Sequence, residues 1–357
     1  MSEVKTFDAV TIDELRRMIP VVGKELTVVV QSEPGCGKTS LLKMMEEDLG
    51  DGYDYIYVDC PVKDMSDIAM TIPNHETKTL ESYVGSLFKM DTGKPKVILL
   101  DEFMKSPKLL QVIFTRLMLE RTVGDTPLPE GSIVFATSNN ASDGVGDSML
   151  AHAGNRVCIV PMQKPNHESW LPWAINNSIN RLVLAWVTLN KRCLNSYLDG
   201  GQEDNPYIFH PNKSMLSFVS PRSLAKCDVI VRNRDILGEN ATRTALAGTI
   251  GAAAAGSMAT FFSLEKQIPD MEAILKAPDT IEVPREPAAL LMVMFNAVEE
   301  LDTQDSLSKF MTFMNRVESS ELQGVFFTMM MRSVKGIKIA KNNEQIKKWA
   351  VENHALF

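Results

Sequence analysis

Residues 32 to 39 read S-E-P-G-C-G-K-T, a run of residue types that suits the binding of an anion. Its two glycines permit backbone angles that let amide N–H groups approach a phosphate closely. A helix predicted to begin at Lys38 and Thr39 points its unpaired first amides at the same spot. Lys38 can reach phosphate oxygens, and the Thr39 hydroxyl can ligate Mg²⁺. The residues expected to hold the phosphates are Glu33, Pro34, Gly35, Cys36, Gly37, Lys38, Thr39 and Ser40.

The loop departs at one position from the GxxxxGK pattern followed by Ser or Thr, because Ser32 stands where the first glycine is expected. A strand predicted over Leu26–Val30 leads directly into the loop, which is the context that a phosphate loop requires. Cys36 lies at an unconstrained position of the pattern. A redox role and a tolerated small side chain both remain open there.

Two neighbouring carboxylates follow the apolar run Val97–Leu100. The carboxyl ends of parallel strands lie at the ligand edge of a sheet. We therefore expect Asp101 to ligate Mg²⁺ beside Thr39, and Glu102 to act as the base towards an attacking water.

A second strand, predicted over Ile133–Ala136, ends in a polar run that contains Asn139. An amide there can orient a water between the base and the terminal phosphate. Asn140 and Ser138 are alternatives for this role. Asn also favours strand-end turns for purely local reasons.

Two arginines are candidates for contacts to phosphate. Arg156 precedes the fifth predicted strand, and its guanidinium could project from one subunit towards the nucleotide of the next. Arg116 and Arg121 compete for that role. Arg222 lies in the first turn of a helix that Ser220 and a following proline begin. Positive charge is unfavourable at that end of a helix, which indicates an external anion.

The elements that position these residues alternate between strands and helices over the first 160 residues. Alternating units of this kind predict a parallel sheet with helices on both faces. The predicted strands are Leu26–Val30, Tyr55–Val58, Val97–Leu100, Ile133–Ala136 and Val157–Val160. The predicted helices are Thr39–Asp48, a segment near Leu80–Phe88, and Lys108–Glu120.

Strand patterns fade after Pro161, and long helical patterns replace them. They cover Trp170–Leu189, Pro221–Arg234, Glu239–Phe262, Pro287–Leu301 and Asp305–Ser333. The sequence therefore predicts an α/β nucleotide-binding domain over residues 1–163, an α-helical lid over 164–269, and a helical C-terminal extension over 270–357.

The composition excludes several classes of protein. A net charge of −8 gives the chain no overall basic footprint for nucleic acid. The five cysteines include no CxxC pair, so neither a zinc site nor a disulfide framework is indicated, and a reducing, cytoplasmic location is expected. Thr244–Leu264 carries no charge, but its small side chains favour a buried helix over a membrane span.

In their order along the chain, these motifs resemble the AAA+ superfamily of P-loop NTPases, and within it the MoxR-like branch, which also occurs in phage genomes. The resemblance depends on Glu33–Thr39, Leu119–Val123, Ala136–Asn140 and Ser220–Leu224. It extends from about Leu26 to Pro269. Ser32, Glu33 and residues 270–357 depart from the family pattern.

The resemblance implies a ring, expected to be a homo-hexamer, that hydrolyses ATP with Mg²⁺ at sites between subunits. The matching roles are Lys38 and Thr39 on phosphate and Mg²⁺, Asp101 and Glu102 as the Walker B pair, Asn139 as sensor 1, Arg156 as the arginine finger and Arg222 as sensor 2. Residues 73–90 would correspond to a family insertion, and 120–131 to a hairpin before sensor 1. Both would face the central pore or a partner. Family members often act with a von Willebrand A domain partner on a client protein.

Three functions compete at this level. An ATP-driven machine that remodels or matures a protein client fits the motifs best. A nucleic-acid motor or restriction-type NTPase would need a basic pore, which the acidic balance disfavours. A nucleotide-dependent scaffold would not need Glu102 as a base. The phosphate loop does not distinguish ATP from GTP.

Overall fold

A computed structural model describes residues 8–140, 155–265, 268–341 and 343–352. The chain divides into two compact units, residues 1–164 and 165–357. The first contains the sheet and all strands among the described residues, and the second is helical.

Five strands of the first unit form one parallel sheet in the order β2-β5-β8-β1-β9. Two antiparallel hairpins, β3–β4 and β6–β7, lie outside this sheet. The strands are β1 Val28–Ser32, β2 Asp54–Asp59, β3 Ala69–Asn74, β4 Thr79–Val84, β5 Lys96–Asp101, β6 Thr122–Val123, β7 Thr126–Pro127, β8 Ile133–Asn139 and β9 Cys158–Pro161. All five strands predicted for the sheet are confirmed, with bounds shifted by a few residues.

Helices cover both faces of the sheet, and alternate residues of each strand face opposite sides. The helices are α1 Ile12–Val22, α2 Ser40–Leu49, α3 Met65–Ile68 and α4 Lys108–Glu120. On one face, side chains of α1 and α2 pack with Val28 and Leu99. On the other, side chains of α4 pack with Val29 and Ile98. The central strands are buried on both sides, which is why they read as continuous apolar runs.

This architecture confirms the predicted fold class, an α/β P-loop NTPase core with a five-stranded parallel sheet followed by helices. The first unit is held by two apolar cores, one on each side of the sheet. All the strands of the sheet point the same way, so their carboxyl ends share one edge.

The helix predicted near Leu80–Phe88 is wrong. Residues 79–84 form β4, which pairs with β3 from Ala69↔Val84 to Asn74↔Thr79, and Ser86–Phe88 forms only a short 3₁₀ turn. Side chains that are β-branched or aromatic favour the pleated ribbon. A Cβ at position 85 would lie 2.0 Å from the Asp67 carbonyl oxygen, so the chain needs glycine where the hairpin returns to α3.

The apolar sequence patterns of the second unit lie in helices. They are α5 His167–Asn176, α6 Arg181–Leu189, α7 Pro221–Arg232, α8 Arg234–Ile250, α9 Ala252–Glu265, α10 Met271–Lys276, α11 Pro287–Glu300, α12 Gln304–Met314, α13 Ser320–Arg332, α14 Val334–Ala340 and α15 Glu344–Glu352.

Three long helices predicted in this unit are each divided in two. The first breaks near Ser178, whose φ is 54°, and the second at Gly251, whose φ is 89°. The third ends at Met314, and Ser319 then caps α13 through the Leu322 amide. Backbone in the left-handed region cannot continue a right-handed helix, so each such residue ends one.

One apolar core fills the second unit and draws side chains from both predicted segments, 164–269 and 270–357. Trp186 of α6 and Phe295 of α11 belong to it together. The described residues of the two segments therefore share one core. Among the described residues, no helix combines the length and apolarity needed to cross a membrane.

Candidate nucleotide-binding site

The loop between β1 and α2 lies at the carboxyl edge of the sheet. Gly35 and Gly37 adopt φ values of 79° and 94°, which side chains with a Cβ rarely tolerate. A Cβ at position 37 would approach the Ser40 hydroxyl to 3.2 Å. These two glycines turn the chain from the strand into the helix, as the phosphate-loop pattern predicts.

The ammonium group of Lys38 is buried and held by oxygen acceptors. It donates to the carbonyl oxygens of Ser32 at 2.9 Å and Glu33 at 3.1 Å. It also donates to the Ser32 hydroxyl and to Asn139 Oδ1, both at 3.1 Å. Ser32, the departure from the glycine pattern, therefore contributes an extra acceptor for Lys38. The contact to Asn139 joins the phosphate loop to the end of β8.

Thr39 and Asp101 lie side by side, with the Thr39 hydroxyl donating to Asp101 Oδ2 at 2.9 Å. Mg²⁺ prefers oxygen ligands and takes few from protein in phosphate sites, the rest coming from water and substrate. Two adjacent oxygens at this edge fit that pattern. Among the described residues no group of three or more His, Cys, Asp or Glu side chains could form a complete protein cage.

Two further hydroxyl groups hold the Asp101 carboxylate. Tyr57 donates to Oδ2 at 3.0 Å, and Thr137 donates to Oδ1. Burial, and then the charge of Asp101, raise the pKa of the Tyr57 phenol, so it remains a donor at neutral pH. The motifs of the sequence predict neither residue as part of the site. Their positions follow from the pairing of β2 and β8 with β5, and the residue spacing does not reveal this pairing.

Glu102 follows Asp101 but has a different environment. Its backbone is left-handed, with φ of 51°, and its amide donates to the Thr137 hydroxyl at 3.1 Å. Its carboxylate is partly exposed and forms an ion pair with Lys105 at 2.8 Å. Left-handed backbone at a residue other than glycine is strained, and strain of this kind directly after a strand such as β5 is common at functional sites.

A family model, the viral superfamily 1 RNA helicase core domain, matches residues 28–123. No curated protein is similar enough in sequence to count as a relative. The first unit has a P-loop NTPase fold. Its family match begins at β1 and ends in β6, so it spans the phosphate loop and the Asp101–Glu102 pair.

Solved structures that the chain matches include a proposed ATPase from Cytophaga hutchinsonii, at 16% identity over 68% of this chain and 82% of that chain, TM-score 0.34. The Holliday junction branch migration motor RuvB from Thermotoga maritima matches at 14% identity over 81% and 84%, TM-score 0.35. NtrX from Brucella abortus in complex with ADP matches at 12% over 96% and 68%, TM-score 0.39. The chemical role of the site is therefore inferred from the side chains of this chain.

Asn139 is the polar group of the β8 end that contacts Lys38. Ser138 precedes it in β8, and its side chain is buried. The position of Asn139 between Lys38 and the end of the sheet suits the water-orienting role better than that of Ser138. Asn140 also has an interaction partner.

The candidate arginines differ in what they already bind. Arg156 is exposed just before β9. Arg116 pairs with Glu120 at 2.7 Å, and Arg121 is partly buried and donates to the Gly23 carbonyl at 3.1 Å. Arg222 is exposed in the first turn of α7, where Ser220 caps the helix as predicted.

Cys36 is buried within the phosphate loop. Burial, and then the negative charge of Glu33, raise the pKa of its thiol to about 12. A thiol that stays protonated is a poor nucleophile, so the environment favours the interpretation of a small packing residue over a redox role. All five cysteines are free.

Proposed function

We propose that this chain is an ATP-hydrolysing, Mg²⁺-dependent machine of the AAA+ type that assembles into a ring and remodels a client protein. The observation that supports this most is the convergence at one sheet edge of Lys38, the Thr39–Asp101 pair, Glu102 and Asn139. Each has the chemistry that phosphoryl transfer to water requires.

In this proposal the loop amides and Lys38 bind the β- and γ-phosphates of ATP. The Lys38 ammonium exchanges its carbonyl acceptors for phosphate oxygens, which are stronger partners because they are charged. Thr39 and Asp101 hold Mg²⁺, which neutralises charge on the phosphates. Tyr57 and Thr137 fix the Asp101 carboxylate so that it does not reorganise when the metal binds.

Glu102 acts as the base that accepts a proton from the attacking water, and Asn139 orients that water. The Lys105 ion pair must loosen for Glu102 to do so. A partly exposed pair of this kind contributes little to stability, so this costs little. Arg156 is proposed to reach the nucleotide of a neighbouring subunit, and Arg222 to contact phosphate from the helical unit.

The client is proposed to be a protein, and the proposed class of partner is a von Willebrand A domain protein. The hairpin β3–β4 supports this, because it exposes Met70, Ile72, Leu80 and Tyr83, which are 42–71% accessible. Exposed apolar side chains of this density are typical of surfaces that contact protein.

Mixing two inactive variants tests the ring. Lys38→Ala should weaken ATP binding in its own subunit by roughly 30- to 1000-fold, and Arg156→Ala should lower turnover at the neighbouring site by at least about 100-fold. In a mixture, an intact nucleotide site of one variant meets the intact arginine of the other. We expect each variant alone to be inactive and an equimolar mixture to recover a measurable fraction of wild-type phosphate release.

Arg116→Ala is the matched control, because Arg116 already pairs with Glu120 on α4, and it should retain turnover. Absence of recovery in co-assembled mixtures would exclude Arg156 as a finger acting between subunits. Turnover that does not depend on protein concentration, from a protein that remains monomeric, would exclude the ring.

The second candidate is a motor on nucleic acid, which the match of residues 28–123 to a viral RNA helicase core favours. The net charge of −8 opposes it. If the client is a protein, single-stranded RNA and DNA should leave ATP turnover unchanged. Stimulation of several-fold that disappears at high salt would favour the motor.

A further inference from the structure

The phosphate loop contains a negative charge that is not expected beside a polyphosphate. Glu33 is only 3% exposed and directly follows Ser32. Its Oε2 lies 3.3 Å from Nζ of Lys164, whose side chain is 2% exposed. Glu33 belongs to the phosphate loop through its backbone, but neither its carboxylate nor the Lys164 side chain has one of the roles proposed above. The two form a buried ion pair at the base of the loop.

The position of Lys164 is set by the sheet. β9 pairs with β1 up to Gln31↔Pro161. The chain then continues beside β1, since the amide of Met162 donates to the Gln31 carbonyl at 2.7 Å. Lys164 follows two residues later and reaches the first residue of the phosphate loop after β1. The pair therefore does not depend on a flexible surface segment.

The charges around the loop are close enough to affect one another. Lys38 donates to the Glu33 carbonyl at 3.1 Å, which places its ammonium near the same residue. The Cys36 thiol also responds to all three, because Glu33 raises its pKa while Lys164 and Lys38 lower it. With Lys164 present, Glu33, Lys38 and Lys164 sum to one positive charge. Without it, the loop would carry no net charge from these residues.

We propose that Lys164 is a positioning residue of the nucleotide site, which neutralises Glu33 and so keeps the phosphate loop able to accept a polyphosphate anion. This rests on the proposed nucleotide-binding function. A buried carboxylate that loses its partner is costly, and it also repels each phosphate group placed against the loop. The affinity for the anion, and not only the stability of the fold, should depend on Lys164.

The test measures the Kd of MgATP by titration calorimetry for wild type, Lys164→Met, Lys164→Arg and Glu33→Gln combined with Lys164→Met. We expect Lys164→Met to weaken binding roughly 10- to 100-fold, because an uncompensated charge lies near the phosphates. Lys164→Arg should restore most of the affinity. The double variant should bind within about threefold of wild type, because neither charge remains.

A pH series separates charge balance from packing. In Lys164→Met, protonation of the unpaired Glu33 removes the repulsion, so affinity should recover as pH falls from 8 to 6. The double variant lacks this carboxylate and should show only the pH dependence of wild type. Thermal unfolding of each variant, followed in parallel, verifies that the protein titrated is folded.

Equal MgATP affinity in wild type and folded Lys164→Met would overturn the inference and leave the nucleotide-binding proposal intact. A wild type that does not bind MgATP would overturn the proposed function, and the inference with it. If Lys164→Met does not fold, the double variant decides. Binding within about threefold of wild type supports the inference, and a loss of about tenfold or more contradicts it.

Discussion

The carboxyl edge of the sheet and the β3–β4 hairpin are two regions of the first unit that differ in which side chains they bury and which they expose. At the edge, Lys38 and Asp101 are buried and hydrogen-bonded. On the hairpin, Leu80 and Tyr83 are 71% and 54% exposed. The edge places charge where water is excluded, and the hairpin leaves apolar surface in water.

The difference indicates two kinds of function. Buried polar groups are costly unless every one is satisfied, so a network such as Thr39, Asp101 and Thr137 is maintained for its chemistry. Exposed apolar groups on a ribbon cost the fold little, and they gain free energy only when another surface covers them. Changes at the edge should therefore alter nucleotide chemistry, and changes on the hairpin should leave it unaltered.

The largest expected effect is that of Lys38→Ala on nucleotide binding. Removing an ammonium that binds charged oxygens should cost about 2–4 kcal/mol, roughly 30- to 1000-fold in the Kd of ATP. Titration calorimetry measures it. Lys43→Ala, on the exposed side of α2, is the control and should bind normally. Equal affinity for ATP in the two variants would show that Lys38 does not bind the nucleotide.

Asp101→Asn should weaken the response to Mg²⁺. The substitution preserves one acceptor for the Thr137 hydroxyl but removes the charge that faces the metal beside Thr39. We expect the Mg²⁺ concentration for half-maximal turnover to rise by at least about 10-fold. Asp13→Asn, exposed on α1, should not change it. An unaltered Mg²⁺ dependence would place the metal elsewhere.

One substitution in the core of the sheet and one on the hairpin show how much each region contributes to the free energy of unfolding. Leu100→Ala removes a fully buried side chain of β5 and should cost about 2–5 kcal/mol in the free energy of unfolding. Leu80→Ser on the hairpin should change it by less than about 0.5 kcal/mol and leave ATP affinity unchanged. Urea denaturation measures both. A large loss from Leu80→Ser would mean that the hairpin is covered in the folded chain.

The smallest effect concerns Cys36, whose pKa is raised to about 12. Because the raised pKa keeps the thiol protonated, only about one part in ten thousand is thiolate at pH 8. Iodoacetamide at that pH should leave Cys36 unlabelled in the native protein and label it after denaturation, as followed by mass spectrometry. Rapid labelling of Cys36 in the native protein would instead favour a redox role for this thiol.

The sequence predicted the sheet and most residues of its edge because both depend on local patterns. Apolar runs bounded by turns mark the strands, and the loop and acidic pair follow β1 and β5 directly. The sequence predicts a helix near Leu80–Phe88, where β4 and a short turn lie, because Leu80, Val84, Leu87 and Phe88 have helical spacing. That spacing arises by chance from a strand and the short turn after it.

Partners from distant parts of the chain could not be predicted in the same way. Tyr57 reaches Asp101 only because β2 pairs with β5, and Lys164 reaches Glu33 only because β9 pairs with β1. Strand order and register decide such contacts, and neither is encoded in residue spacing. The sequence therefore gives the acids and the loop, while the structure supplies the groups that orient and neutralise them.

The central claim is that Glu102 activates water at a nucleotide site formed by the edge of the sheet. Single-turnover hydrolysis of ATP by Glu102→Gln tests it most directly, with ATP affinity measured on the same sample. The account predicts that hydrolysis slows by about 10²–10⁴-fold while affinity stays within a few-fold of wild type. Hydrolysis at the wild-type rate by folded Glu102→Gln would contradict it.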